Sequence, residues 1–222
     1  MIVLGIETAT TVCSVGLAGD EGLIAEQRLV RKHSHAEVLS DMVNWICANA
    51  EIQLKTLDGV AISNGPGSFT GLRIGLGFAK GLVFGAELNL IAVSTLEALI
   101  RPVLPVCTQA CVLLTSRKGE AYRGVFQWCE NRWIPGQADG IVDENNIFNG
   151  LGEEKILFIG SGSRQFKEIL ERDHRTVLLT EEYDNPSGFS VAALGRDKLA
   201  AGEYTDPDEA IPEYLNRFQG VA

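Results

Sequence analysis

The chain has 222 residues, and its 19 Lys and Arg against 29 Asp and Glu give a formal net charge of −10. Proteins that hold nucleic acid through their own surface usually present a basic face, because phosphate contacts supply much of the affinity, so this charge counts against a direct grip on RNA or DNA. With 45% hydrophobic and 22% charged residues, the composition is that of a folded protein and excludes a disordered one.

The composition also indicates how the chain is divided into lobes and in which cellular compartment it is expected. Residues 1–110 contain 10 acidic and 7 basic residues, whereas residues 111–222 contain 19 and 12, and this shift favours two lobes over one. The five cysteines are odd in number and mostly have apolar neighbours, so we expect reduced core thiols and no zinc site. No apolar run is long enough to span a bilayer and no basic segment precedes the apolar start, so the expected compartment is the cytoplasm.

The first sixty residues predict an antiparallel meander followed by a helix and a fourth strand. The predicted meander strands are Ile2 to Ile6, Val12 to Leu17 and Leu23 to Val30. Ser34 with Glu37 three residues later forms a capping-box pattern, which predicts that a helix begins there. A fourth strand is predicted over Leu57 to Ser63, and a helix between antiparallel and parallel strands is typical of an α/β lobe.

A glycine-rich stretch from Asn64 to Arg73 follows the fourth strand and opens an apolar helix. Each glycine inside a helix costs about 0.5–1 kcal/mol relative to alanine, so something must offset that cost. Glycines from Gly71 to Gly85 recur at a spacing of four, which predicts smooth strips where another backbone comes close. Because the helix is apolar nearly all round, we expect the sheet to cover one side and another helix or another chain to cover the rest.

Two prolines, Pro102 and Pro105, predict a hinge between the lobes, after a fifth strand and a short helix. Residues 135–155 read as an acidic loop. The predicted elements on either side of the hinge are strands Leu90 to Val93, Ala110 to Thr115, Glu120 to Cys129, Arg132 to Ile134, Lys155 to Ile159 and Thr176 to Leu179, and helices Thr95 to Ile100, Arg164 to Arg172 and Ser187 or Ser190 to Ala201.

Two segments of the first lobe are candidates for phosphate contact, and each has a structural alternative. Gly67 and Ser68 lie at a strand-to-helix junction, where N–H groups and the helix dipole favour anions, or the glycines serve packing alone. Glu7, with Thr8 and Thr10, could organise a metal or phosphate, or its carboxylate could cap the turn. The sequence matches neither a Walker A motif nor the dinucleotide fingerprint, and no metal-ligating or nucleophilic constellation emerges from the residues alone.

Several motifs together resemble the TsaB family, also called YeaZ. The order and spacing of these motifs cover nearly the whole chain, and the N-terminal motif and the glycine-rich motif are specific in combination. They are Ile6-Glu7-Thr8-Ala9-Thr10, Gly65-Pro66-Gly67-Ser68-Phe69-Thr70-Gly71-Leu72-Arg73-Ile74-Gly75, His33-Ser34-His35, Val93-Ser94-Thr95-Leu96 and Pro212-Glu213-Tyr214-Leu215.

The resemblance implies an α/β fold of the actin/Hsp70/sugar-kinase (ASKHA) type, with two lobes that each contain an RNase H-like sheet. We expect a first lobe at residues 1–103, completed by residues 204–222, and a smaller lobe at 104–203. It also implies a non-catalytic subunit in the synthesis of threonylcarbamoyladenosine beside the tRNA anticodon. The implied partners are the transferase TsaD and the ATPase TsaE, with a homodimer when the chain is alone and tRNA held mainly by TsaD.

The resemblance further implies association through helices of the first lobe, in agreement with the glycine spacing. We assign the interface to ten residues: Leu39, Met42, Val43, Ile46, Gly71, Leu72, Ile74, Gly75, Phe78 and Leu82. No cofactor or metal is expected to be required, although ATP or ADP could sit at the subunit boundary. The alternatives are an ATP-binding enzyme of the same fold, an M22-type glycoprotease-like peptidase, and a homodimer with a signalling role.

Overall fold

The structure is a computed structural model that describes residues 1–31 and 35–215, and the backbone alone for residues 137–139. The predicted helix cap at Ser34 and the end of the C-terminal segment lie outside the described residues. The strands are β1 (Val3–Glu7), β2 (Val12–Gly19), β3 (Gly22–Val30), β4 (Gly59–Ser63), β5 (Asn89–Val93), β6 (Gln109–Arg117), β7 (Glu120–Cys129), β8 (Arg132–Val142), β9 (Ile156–Ile159) and β10 (Thr176–Leu178). The helices are α1 (His35–Asn49), α2 (Phe69–Ala86), α3 (Thr95–Ile100), α4 (Ser161–Gln165), α5 (Lys167–Leu170) and α6 (Gly188–Ala200).

The first compact unit comprises Met1–Ala98 and Pro186–Pro212. Its sheet has the order β3-β2-β1-β4-β5, in which β2 is antiparallel to β1 and β3, and β4 is parallel to β1 and β5. On one face, α1 and α2 pack on side chains such as Leu4, Ile6 and Val15. On the other face, α6 packs on the sheet through Val191. The sheet therefore lies between two layers of helix.

Helix α6 approaches the sheet closely because β1 and β2 present glycines side by side. Gly5 and Gly16 are register partners, and a Cβ atom on either would overlap backbone atoms of α6. The N–H of Gly188 donates to Ser14 Oγ at 2.9 Å, and the N–H of Phe189 donates to Glu26 Oε1 at 3.0 Å. These contacts place α6 in the first unit.

Because α6 packs on the first sheet, the division of the chain into two units differs from the predicted division. We expected residues 104–203 to form the second lobe, whereas α6 belongs to the first unit and the second begins at Leu99. Residues after α6 also contact the first unit, because Thr205 bridges Leu90 on the edge strand β5 and Ala210 is buried in the core. Charge and periodicity predict that a helix forms, but they do not say which sheet it covers.

The second unit comprises Leu99–Asn185 and residues 213–215. Its sheet has the order β10-β9-β6-β7-β8, so that three antiparallel strands are again followed by two parallel ones. Strand β8 is longer than the predicted Arg132 to Ile134, although it contains Pro135. It lies at the sheet edge, where a residue without an N–H group is tolerated. The predicted helix from Arg164 is instead the two short helices α4 and α5.

Candidate functional site

The turn after β1 is organised by a buried carboxylate. Glu7 has no solvent exposure, its Oε1 accepts a 2.8 Å hydrogen bond from the N–H of Ala9, and its Oε2 accepts one from Ser63 Oγ. Burial raises the pKa of Glu7 to about 7, and the hydrogen bonds from Ser63, Ala9 and Thr10 act in the opposite direction. This geometry is that of a carboxylate that caps its own turn and ties it to β4.

The glycine-rich loop packs directly on this turn. The N–H of Ser68 donates to the Ala9 carbonyl oxygen at 2.7 Å, and Thr8 Oγ1 donates to the Gly71 carbonyl oxygen at 2.9 Å. A Cβ at Gly71 would overlap the Thr8 carbonyl oxygen, and one at Gly75 would overlap Thr8 Oγ1. These glycines therefore serve close backbone packing, which was one of the two interpretations left open by the sequence.

Most of the five residues named as candidates for phosphate contact are engaged in contacts within the lobe. Glu7 and Thr8 are fully buried, and Gly67 lies against Ala9. Ser68 is exposed, but its Oγ caps α2 by accepting a hydrogen bond from the N–H of Gly71 at 3.2 Å. A nucleotide at this loop stays a prediction, and the N–H groups of Ala9 and Ser68 already have partners within the chain.

The described residues contain no group of three or more His, Cys, Asp or Glu side chains that could hold a metal ion. Of the two histidines of the N-terminal motif, His33 lies outside the described residues. His35 is buried at the start of α1, and its Nε2 lies 2.9 Å from the Thr10 carbonyl oxygen. His35 therefore attaches α1 to the same turn.

The outer side of α2 carries a strip of glycines that no described residue covers. At Gly77, Gly81 and Gly85, a Cβ would meet no atom within 4 Å, in contrast to Gly71 and Gly75 on the inner side of the helix. Large apolar side chains accompany this glycine strip, since Phe84 on α2 is 66% exposed and Trp45 on α1 is 51% exposed. We call the exposed sides of α1 and α2, with the glycine strip, Phe84 and Trp45, the docking face.

Most residues of the predicted interface are buried inside the lobe and are therefore not available to a partner. Its buried members form the core between the helices and the sheet, or face Thr8, and cannot reach a partner in the folded lobe. They are Leu39, Met42, Val43, Ile46, Gly71, Leu72 and Gly75. Ile74, Phe78 and Leu82 are partly exposed and border the docking face.

The outward side of α2 could have been identified in part from Ser68. This residue caps α2 and fixes where the helix begins, and Gly71 and Gly75 must then face the turn that the loop packs on. At about 100° per residue, Gly77 lies roughly 160° and Gly81 roughly 120° round the helix from Gly75, whereas Gly85 lies only about 80° away, so this argument does not identify Gly85 as outward. Hydrophobicity alone gave no orientation because the helix is apolar nearly all round.

No described helix is long and apolar enough to cross a membrane.

Comparison with known proteins gives one consistent group. The family model described as TsaD, tRNA N6-adenosine threonylcarbamoyltransferase, matches residues 24–217. The tRNA threonylcarbamoyladenosine biosynthesis protein TsaB of Escherichia coli is 29% identical over 97% of this chain and 94% of its own length. The protein of the same name from Buchnera aphidicola subsp. Baizongia pistaciae is 33% identical over 96% of this chain and 97% of its own.

Solved structures agree with these sequence relatives. YeaZ from Pseudomonas aeruginosa superposes with a TM-score of 0.86 at 25% identity, over 96% of this chain and 99% of its own. The ROK hexokinase from Thermus thermophilus superposes with a TM-score of 0.51 at 10% identity, over 91% of this chain and 100% of its own. That second likeness concerns the fold alone, and it confirms the expected actin/Hsp70/sugar-kinase-type architecture.

Proposed function

Because the chain belongs to the TsaB (YeaZ) family and its role lies in tRNA threonylcarbamoyladenosine biosynthesis, we propose that it acts there as a non-catalytic subunit. In this proposal it docks onto the transferase TsaD in the cytoplasm, supports turnover that depends on the ATPase TsaE, and forms a homodimer when alone. The observation that carries the proposal is the docking face, in which α2 presents an open glycine strip with exposed Phe84 and α1 presents exposed Trp45.

Shared ancestry of the two chains supports a fit between this face and TsaD. The TsaD family model matches residues 24–217, which include both α1 and α2. A relative with the same fold carries equivalent helices, so two such helix pairs can meet about an approximate twofold axis, as identical subunits do. Glycines at a spacing of four allow the backbones to approach, and Phe84 and Trp45 supply the apolar area that favours association.

Three observations support the assignment of catalysis, and of most tRNA binding, to TsaD. The N–H of Ala9 is hydrogen-bonded to Glu7, and the N–H of Ser68 to a carbonyl oxygen. The described residues also lack a cluster of metal-ligating side chains. The net charge of −10 further favours tRNA being held mainly by TsaD. A nucleotide at the subunit boundary remains part of the proposal, and calorimetry of the isolated chain and of the complex with ATP and Mg²⁺ tests it.

Reconstitution tests the function directly. The assay combines TsaD, TsaE, threonylcarbamoyl-adenylate, ATP and tRNA with and without this chain, and measures product over many turnovers. We expect sustained product only when the chain is present. Equal product without it would overturn the proposal. Clear ATP hydrolysis or peptide cleavage by the chain alone would instead favour an enzyme of the same fold.

A single substitution tests the docking face. Gly81→Leu fills the open strip and should lower both the affinity for TsaD and the sustained product, because the backbones can no longer approach. The matched control is Gly140→Leu on β8, where a Cβ also meets nothing within 4 Å. Calorimetric titration of each variant with TsaD measures the effect. Wild-type affinity in Gly81→Leu would show that the interface lies elsewhere.

A further inference from the structure

Strand β3 forms an open edge of the first sheet. In the described part of the chain, β3 pairs with β2 and with no other strand, so the N–H and C=O groups on its outer side have no strand partner. The opposite edge differs, because Thr205 bridges β5 at Leu90 and its Oγ1 accepts a hydrogen bond from the N–H of Ala92. An open edge is a template on which another strand can pair.

The sequence along this edge is self-complementary. Residues 24–30 read Ile-Ala-Glu-Gln-Arg-Leu-Val, which is chemically symmetric about Gln27. If a second copy pairs antiparallel with Gln27 opposite Gln27, then Glu26 lies opposite Arg28 twice and Ala25 lies opposite Leu29 twice. Opposite charges and apolar pairs across antiparallel strands both favour pairing. Shifting the centre to Arg28 would place two arginines opposite each other, so the charges also select the register.

The side chains at this edge are available for such pairing. Val30 is 71% exposed, and Glu26 and Arg28 are exposed. Glu26 accepts hydrogen bonds from the N–H of Phe189 and from Ser14 Oγ through Oε1, which leaves Oε2 for an arginine of a second copy. The register shift that breaks the ladder lies between Leu17 and Ala18 of β2, opposite the first residues of β3, and leaves the pairing from Ala25 to Val30 regular.

Gln27, at the centre of the symmetric stretch, gives independent support. Its Oε1 is buried and has no hydrogen-bond partner. A buried amide oxygen without a donor is destabilising, and native structures usually supply one. Because this oxygen is inaccessible within the single chain, a second copy satisfies it only when the Gln27 side chain rotates outward. Two rotated Gln27 side chains facing each other across a twofold axis, with Cβ atoms about 5 Å apart, can each donate to the oxygen of the other.

We propose that two copies of this chain pair antiparallel through β3, centred on Gln27, to form a continuous ten-stranded sheet. The axis is perpendicular to the sheet, because only then do Glu26 and Arg28 of opposite copies lie on the same face. The contact uses no residue of the docking face. A chain can therefore bind TsaD through α1 and α2 and a second copy through β3 at the same time.

Sedimentation velocity over a concentration series tests the pairing in a background of Gly81→Leu, which blocks association through the docking face. We expect this chain to dimerise. Adding Arg28→Glu should weaken the dimer roughly tenfold or more, since both attractive pairs become repulsive. Mixing that chain with one that carries Glu26→Arg should restore dimers, because each copy then faces the opposite charge. Lys55→Glu, an exposed charge reversal away from β3, is the control.

Circular dichroism confirms that each variant is folded. If Arg28→Glu does not fold, Val30→Asp takes its place, because this exposed side chain lies opposite Ile24 of the second copy. A Gly81→Leu chain that stays monomeric at every concentration would overturn the proposal, as would a dimer that Arg28→Glu or Val30→Asp leaves unchanged. Failure here is distinguishable from failure of the proposed function, because binding to TsaD is measured separately and does not involve β3.

Discussion

Burial of a charged group away from solvent is energetically unfavourable. In the first lobe, the buried Glu7 joins separate elements through its hydrogen bonds. Its carboxylate joins β4, through Ser63, to the turn that supports the glycine-rich loop. Burial nevertheless outweighs these hydrogen bonds and raises the pKa of Glu7 to about 7. The folded chain therefore binds a proton on this group at pH values where the unfolded chain has released it.

This proton predicts how stability depends on pH. Because the folded pKa of about 7 exceeds the ordinary value of 4.5, the free energy of unfolding should fall as pH rises from about 4.5 to 7. The total loss is on the order of 3 kcal/mol at 1.4 kcal/mol per pKa unit. Glu7→Gln keeps the shape without the charge, so its stability should lack this loss. Urea unfolding at several pH values measures both chains.

The difference between the two unfolding curves isolates Glu7, since any other titrating group contributes equally to both. Cys13, which lies beside Glu7, has its pKa raised by burial to about 11 and so does not titrate in this range. If the wild-type and Glu7→Gln curves run parallel from pH 5 to 8, the carboxylate is not the group that keeps the proton.

At the scale of elements, α2 uses the same residue type for two opposite purposes. Gly71 and Gly75 face inward and let the helix contact Thr8, whereas the glycine strip faces outward and is open. At the inner glycines, close contact with Thr8 leaves no room for a side chain. At the outer glycines, no described atom would meet a Cβ, so contacts among the described residues do not offset the cost of these glycines in helix stability.

This contrast predicts that alanine acts with opposite sign on the two sides of α2. Gly77→Ala with Gly85→Ala should raise the free energy of unfolding by roughly 1–2 kcal/mol, because alanine favours helix and meets no atom. The same pair should weaken binding to TsaD. Gly75→Ala should lower the free energy of unfolding by about 1–3 kcal/mol, because its Cβ overlaps Thr8 and approaches Ile62. Thermal and urea unfolding measure both, and equal signs would contradict this account.

What could be predicted from the sequence differs between elements for physical reasons. The strands of the first sheet could be predicted because turn residues bound short apolar runs. The inner and outer sides of α2 could not be distinguished by hydrophobicity, since Leu72 faces the core and Phe84 faces solvent. The predicted strand ended at Ile134 because residues 135–155 were interpreted as an acidic loop, whereas β8 continues through Pro135, and only the sheet order shows that it lies at an edge where proline is tolerated.

At the scale of the whole molecule, the first unit is assembled from two separate parts of the chain. The α6 face of its sheet, with Val3, Ala61 and Ile91, is covered by α6 from residues beyond 186. The glycines Gly5 and Gly16 expose backbone that only this helix fills. Sequence patterns identify such a helix but not its position in space, because contacts between distant residues leave no periodic signal.

A fragment of residues 1–98 should therefore not fold alone. It retains all five strands of the first sheet but exposes the apolar face that α6 covers. Near-ultraviolet circular dichroism should show no fixed side-chain environment, and the fragment should bind TsaD poorly. The matched control joins residues 186–212 to it through a flexible linker, which should restore cooperative unfolding. Cooperative unfolding of the fragment without them would contradict the assignment of α6.

The division of the first unit between the two ends of the chain has a consequence during synthesis. A ribosome makes chain from the N-terminus at roughly 5–20 residues per second, and domains usually fold as they emerge. Here the first sheet must wait for α6, so its folding cannot finish until Gly188–Ala200 have emerged. The second unit, which is made of Leu99–Asn185 and residues 213–215, has most of its chain released earlier. Under the proposed docking of TsaD on α1 and α2, partner binding also waits for α6, so chains that stop before α6 should not occupy TsaD.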